Sequence, residues 1–292
     1  MKLLKFKQHL VIPGAVLFLL LLALSVNAQS GWTKKKGTFF SKLSYNFYSS
    51  DQYFNLSGEK LETSTFRQRG IFLYGEYGLT DKLTLLTSWP AFKANSFETT
   101  STVYGIGDLA LGVKYALLQG KFPVAISFTP EIPLAPSDNY AQNKTNSFEQ
   151  INLPTGDGEW NFLFNLAASH SFHPVPVYVS AYTTYNKRTS YKGVRFSDQF
   201  IAGIEGGINI AKKAWVNTKL AVQKTVGEQP GVTDFIRGEG TEFTAISLGV
   251  YVPVYKGLGV DVSYFNYTDW IVKRQNLYSA GIISIGIVYE KK

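Results

Sequence analysis

The chain has 292 residues, no cysteine and one methionine at its start, and its 18 Tyr, 21 Phe and 5 Trp bring aromatics to 15%. Without cysteine there is no disulfide scaffold, no thiol catalysis and no Cys-ligated zinc, which suits export through an oxidising periplasm. The 29 Lys and Arg against 21 Asp and Glu give a formal +8, and removing Lys2, Lys5 and Lys7 with the leader described next leaves +5, too mild and too scattered for a nucleic-acid groove.

Residues 1–28 read as a secretory signal peptide. Lys2, Lys5 and Lys7 form a basic start, residues 10–24 are an apolar run containing Pro13 and Gly14, and Val26-Asn27-Ala28 places small residues at a cleavage site. A retained membrane helix is the competing reading. The run falls short of the ~20 residues a span needs, and no basic flank follows it. No Cys stands at the cut, so a lipoprotein anchor is not expected. Beyond residue 28 no stretch of ~18 apolar residues remains, so any crossing of a membrane falls to strands. The mature chain, 29–292, is expected to form one outer-membrane domain.

Residues 29–36 form a polar lead, too short for a folded plug, in which Lys34-Lys35-Lys36 reads as a solvated tail. The first strand, 37–48, alternates Phe39, Leu43, Tyr45 and Phe47 with Lys42, Ser44 and Asn46. A polar loop is predicted at 49–65. In the second strand, 66–78, Glu76 asks one parity to face inward while Arg67 and Arg69 hold the other, so its phase stays open, with both Arg placed at the outer rim. A tight turn at 79–82 leads to a third strand at 83–91, then a polar loop at 92–103.

The hairpin at 104–136 is the clearest element. Leu109, Leu111, Val113, Tyr115 and Leu117 share one face against Asp108, Ala110, Gly112, Lys114 and Ala116; after Gln119-Gly120-Lys121, Val124, Ile126, Phe128, Ile132 and Leu134 oppose Ala125, Ser127, Thr129 and Glu131. Side chains alternate faces along a strand. Arms longer than ten residues exceed the usual soluble strand and match the ~9–11 residues of a tilted membrane strand.

A loop at 137–158 precedes strands at 159–172 and 177–187, joined through His173-Pro174-Val175-Pro176. A loop at 188–197 precedes strands at 198–210 and 214–226, and a glycine-rich loop spans 227–240. The last strands are 241–254, 258–269 and 276–289. Short connections alternate with longer ones, as in membrane barrels with short periplasmic turns and long extracellular loops. The expected fold is therefore an all-β, transmembrane, antiparallel up-and-down barrel of about 12 strands; a soluble β-sandwich is the alternative. Trp89, Trp160, Trp215, Trp270, Tyr104 and Tyr289 are the expected interface girdle. The final amphipathic strand, ending near Tyr289, is similar to the terminal signal read by the barrel-insertion machinery.

A Lys or Arg facing lipid near the midplane costs ~2–4 kcal/mol. Asp108, Lys114, Glu131, Glu205, Lys219 and Asp261 all lie on the polar parity of their strands, so they are expected to face the lumen. Two readings of Asp108, Lys114 and Glu131 stay open: a solute-selecting conduit, or a polar network that fills a narrow barrel. Tyr178, Tyr182, Tyr251, Phe265 and Tyr267 are inward aromatics that suit an apolar or aromatic solute, or simply occupy the lumen. Gly105, Gly107 and Gly112 do not make a nucleotide loop, since no helix pattern follows. Ser169 and Ser171 beside His170 and His173 suggest a membrane-embedded lipid hydrolase, but that chemistry needs a positioned base, nucleophile and oxyanion donors, and two His do not make a metal site. No catalytic residue, metal or cofactor is expected.

Three segments carry a resemblance. Gly105-Ile106-Gly107-Asp108-Leu109 with Gly112-Val113-Lys114-Tyr115, Leu153-Pro154-Thr155-Gly156-Asp157, and Tyr77-Gly78-Leu79-Thr80-Asp81-Lys82-Leu83 resemble motifs of the MetA-pathway of phenol degradation outer-membrane family. The resemblance implies an outer-membrane channel or transporter for hydrophobic or aromatic compounds, and it supplies no catalytic residues. The expected partners are outer-membrane lipid, the insertion machinery and a small hydrophobic solute. The alternative function is a closed structural or adhesive barrel acting through its loops at 49–65, 136–158 and 227–240.

Overall fold

The computed structural model describes residues 29–146, 148–227 and 239–291; the signal-peptide reading and most of the predicted 227–240 loop lie outside them. Twelve long strands form the wall among the described residues: β1 (Phe39–Phe54), β2 (Lys60–Gly78), β3 (Leu83–Phe97), β4 (Leu109–Leu118), β5 (Val124–Ile132), β6 (Asn161–Ser171), β7 (Val177–Arg188), β8 (Asp198–Ile210), β9 (Ala214–Val226), β10 (Phe243–Tyr255), β11 (Leu258–Thr268) and β12 (Ile282–Lys291). Each pairs antiparallel with its sequence neighbours. β1 pairs with both β2 and β12, Leu43 facing Leu73 on one side and Ile287 on the other. The sheet therefore closes on itself and leaves no free edge to aggregate. The chain is a transmembrane antiparallel up-and-down β-barrel.

Register fixes the faces. Residues paired directly across two strands share a side, and the chain of partners Lys114, Ser127, Asn165, Thr184 runs along the inner wall. On the outside, the partners Tyr115, Ile126, Leu166 and Tyr45, Ile285, Val262 belong to an exposed apolar belt. The outward charges of the wall strands include Arg67 and Arg69, partway up the tall β2, and Lys187, Asp198, Lys224 and Lys291, close to strand ends. No Asp, Glu or Lys among the described residues faces outward at the waist. A surface this apolar is tolerable only against hydrocarbon.

The phase of β2, open in the sequence, is set by its neighbours: Phe72, Tyr74 and Glu76 pair with inner residues of β1, and Arg67 and Arg69 point outward. The connections follow the predicted alternation with one exception. The loop at 49–65 is instead a tall hairpin, because β1 runs to Phe54 and β2 starts at Lys60. β3 likewise continues to Phe97 past a bulge near Ile71 and Phe72 of β2. Polar side chains here extend the ladder above the apolar belt, where water solvates them, so the loss of alternation was not the end of the strand. At the short-turn end, Ala211 and Lys212 have φ of 51° and 58°, the left-handed pair that a two-residue hairpin turn demands.

At the long-loop end the barrel carries a small core of its own. Tyr48, Phe66, Phe97, Val103, Ala141, Leu153 and Tyr278 pack together, with Phe66 against Phe97 and Tyr278, each at 5.4 Å between ring centres. Four minor strands support it: Val103–Gly105 on the top of β3, the Tyr140–Gln142 and Gln150–Asn152 hairpin, and Leu277–Tyr278 on the top of β1.

Candidate functional site

The inner wall is polar in most places, and two segments that are not wall strands cross it. The first is the lead at 29–36. It does not trail in solvent as predicted. From the short-turn end, where the Lys36 amide bonds Asp81 at 3.0 Å, it climbs into the lumen. The Lys34 amide donates to Thr84 Oγ1 at 2.8 Å, Trp32 packs edge-on against Tyr178 at 5.8 Å, and the Gly31 amide donates to Ser169 Oγ at 2.8 Å. Gln29 then reaches Thr184 and Lys219 on the far wall. Only glycine permits the approach at residue 31, because a Cβ there would lie 2.1 Å from the Pro123 carbonyl oxygen. Eight mostly polar residues cannot fold as a plug alone, but the wall supplies the partners they lack.

The second crossing is the segment 153–157, drawn down from the long loop. Asp108 anchors it: one carboxylate oxygen accepts from the Ala135 amide at 2.9 Å and the other from the Asp157 amide at 2.7 Å. Lys93 Nζ donates to the Thr155 carbonyl at 2.7 Å, and Asn95 to that of Pro154 at 2.9 Å. A Cβ on Gly156 would sit 2.5 Å from the Ala135 Cβ and 2.6 Å from the Asp108 carboxylate. The Gly-x-Gly-Asp and Pro-Thr-Gly-Asp segments, about fifty residues apart in sequence, are thus two halves of one contact. Above it, Arg188 is sealed from water. It donates to Glu159 from Nε at 3.1 Å and Nη2 at 2.6 Å, sits 3.4 Å from Glu239, and lies over the Phe196 ring. Burial, with Asp157 nearby, pushes the Glu159 carboxyl up against the pull of Arg188.

Between the two crossings lies a cavity of about 380 Å³. Of the eleven lumen residues singled out from sequence, Asp108, Lys114 and Glu131 line it together, beside Lys42, Phe72, Leu86, Pro90 and Leu163. Lys114 stands 3.4 Å from Glu76 and 3.3 Å from the Trp32 carbonyl, while Lys42 pairs with Asp261. Across the lumen, Glu205 accepts from Tyr178 at 2.6 Å. Lys219, its register partner, turns instead to Gln29 at 3.2 Å and to the Tyr182 ring at 4.4 Å. Tyr178 and Tyr182 face Gly207 and Gly203 on the next strand, and each ring lies over its glycine, tiling the wall. Tyr251 faces inward near the short-turn mouth opposite Asp261. Phe265 also faces inward, 4.3 Å from Tyr267 between ring centres, away from the cavity.

One further expectation changes. Trp215 is not a girdle residue: it pairs with Asn209 and Tyr251 on the inner face and meets Tyr178 at 5.7 Å. It shares the parity of Asn217 and Lys219, a signal present in the sequence. Nor do Ser169 and His170 form a catalytic pair. Ser169 is buried inside, bonded to Ser180 at 2.8 Å, whereas His170 stacks outside on Phe122 at 4.4 Å. Lys42, Glu76, Gln29, Trp32 and Lys93 were not proposed as site residues, although the inward parity of the first two was visible.

No family model matches the sequence, and no curated protein matches it. Solved structures do. An outer membrane channel from Pseudomonas putida F1 superposes over 91% of this chain and 100% of its own, with a TM-score of 0.67 and 13% identity. The translocator domain of the autotransporter NalP from Neisseria meningitidis covers 86% of this chain and 88% of its own, at TM-score 0.52 and 11% identity. The NanC porin covers 86% of this chain and 100% of its own, at TM-score 0.52 and 10% identity. At these identities the likeness is one of fold: this chain folds as an outer-membrane β-barrel.

Proposed function

We propose that the protein is an outer-membrane channel that passes small solutes with a hydrophobic or aromatic body through its lumen. The observation that carries the reading is the cavity between the two crossings, which sets apolar Phe72, Leu86, Pro90 and Leu163 beside charged Asp108, Lys114 and Glu131. An apolar cavity of ~150 Å³ holds benzene, so 380 Å³ suffices for a ring-sized solute with its water. The family resemblance of the Gly-x-Gly-Asp and Pro-Thr-Gly-Asp segments supports the same class of solute. On this reading the short turns and the lead lie in the periplasm, the long loops outside the cell, and residues 1–28 are the cleaved export signal. The belt contacts outer-membrane lipid, and the last strand is the mark for the insertion machinery. Asp108, Lys114, Glu131, Glu205, Lys219 and Asp261, with Tyr178, Tyr182, Tyr251 and Phe265, then form the polar and aromatic lining of the route.

The test is electrical. Protein beginning at residue 37, reconstituted in planar bilayers, should conduct several times better than protein beginning at residue 29, because the lead no longer crosses the lumen. Equal and negligible conductance from both forms would refute a channel and leave the loop-based adhesive role.

A further inference from the structure

Among the described residues, the cavity wall holds one ionisable side chain that the protein leaves without a hydrogen bond or ion pair. Asp108 is satisfied by two backbone amides, Lys42 by Asp261, Lys114 by Glu76 and Trp32, and Lys93 by the Thr155 carbonyl. Glu131, on the inner face of β5, lines the same space and makes no hydrogen bond and no ion pair among the described residues. The charged groups that act on it are three carboxylates, Asp108, Asp157 and Glu159, and a single amine, Lys93, whose Nζ is already engaged. A carboxyl group left without a partner in such a site is costly. Three of the four charges acting on it are negative, so at this position an entering anion is disfavoured relative to an entering cation. Apolar Leu163 and Pro90 border the same space and offer contact to a ring or short chain.

We propose that Glu131 is a head-group subsite, and that the preferred solute carries a protonated primary amine on a small apolar body, in preference to a carboxylate of equal size. The inference rests on the channel reading above and adds to it the sign and chemistry of the solute head. The amine donates up to three charge-assisted hydrogen bonds. Glu131 accepts them while the apolar body lies along the neighbouring wall.

The experiment uses the full mature chain in planar bilayers, with reversal potentials recorded under gradients of benzylammonium chloride and of sodium benzoate. Benzylammonium should be favoured over benzoate by about tenfold, a modest preference for one charge-assisted contact. Glu131→Gln, which keeps the side-chain shape, should lower that ratio at least about threefold, while Glu131→Asp, which keeps the charge, should largely retain it. The sodium-to-chloride ratio should change less than the benzylammonium-to-benzoate ratio, as a contact differs from a general field. An unchanged organic-ion ratio in Glu131→Gln, or a preference for benzoate in the unmodified protein, overturns the subsite and leaves the channel standing. Absence of any current, including after removal of residues 29–36, overturns the channel and the subsite with it.

Discussion

Leu163 and Leu166 lie on the same strand, three positions apart, and face opposite ways. Leu163 lines the cavity, and Leu166, 47% exposed, sits in the outer belt between Ile126 and Thr183. The same substitution, Leu→Lys, therefore tests which side meets hydrocarbon. Leu166 is midway along β6. At ~3.4 Å per residue, ~17 Å of strand lies on either side, and a tilt of ~40° reduces that to ~13 Å of depth, about half of the ~25 Å apolar band. A lysine side chain cannot span that distance, so Leu166→Lys should cost ~2–4 kcal/mol, a fall of roughly 30- to 1,000-fold in the folding equilibrium at ~1.4 kcal/mol per decade. Leu163→Lys replaces an apolar group in a polar space. It is a diagonal neighbour of Glu131, whose register partner is Asn161, so its cost should stay within about 1 kcal/mol of zero. Urea-dependent folding into vesicles, followed by heat-modifiable gel mobility, measures both. Equal costs, or a larger cost at Leu163, would mean that the faces have been assigned wrongly.

Two further outcomes follow from the loops. Gly156→Ala puts a methyl group against Ala135 and the Asp108 carboxylate. It should lift the 153–157 segment out of the lumen at a cost of ~1–3 kcal/mol, seen as faster protease cleavage between residues 136 and 160 with the barrel intact; unchanged cleavage would mean that the segment is not held by Asp108. The Arg274 guanidinium and amide bond Asp269 at 2.6–3.0 Å and hold its carboxyl below the usual 3.8. A depressed carboxyl adds stability that is complete above its unfolded value and is lost as pH falls through the folded one. Amide protection in the 269–275 loop should therefore persist from neutrality to about pH 4 and decline below it, and Asp269→Asn should show no such decline in hydrogen-exchange mass spectrometry.

The wall was legible because a single physical demand acts on every second residue. Lipid penalises charge so heavily that Asp108, Lys114, Glu205 and Lys219 all declare the parity of their strands. The demand stops where lipid stops, so the tall β1–β2 hairpin, with Asp51 and Glu62 in its upper ladder, was taken for a loop. β2 was ambiguous for the same reason: Arg69 is outward but rides above the belt on the Phe47 ring. Trp215 was misplaced because a tryptophan near a strand end fits an interface and an inner wall equally well by composition; the polar residues on its own parity, Asn217 and Lys219, were the better guide.

What fills the lumen obeys a different logic, and no periodicity announces it. The lead and the 153–157 segment are held by partners brought close only when the sheet closes, such as Ser169 for Gly31 and Asp108 for Asp157. The local sign of each is a glycine where a Cβ would collide with backbone or a carboxylate, which cannot be told in sequence from a turn glycine. Closure also explains why the wall's ionic groups are mostly spent. Glu76, Asp108, Asp261 and Glu205 each have an internal partner, so they set the shape and polarity of the lumen without being free to bind a solute. On the proposed channel reading, recognition falls to the exception, Glu131, and any change of solute preference should track that position more closely than the count of charges along the wall.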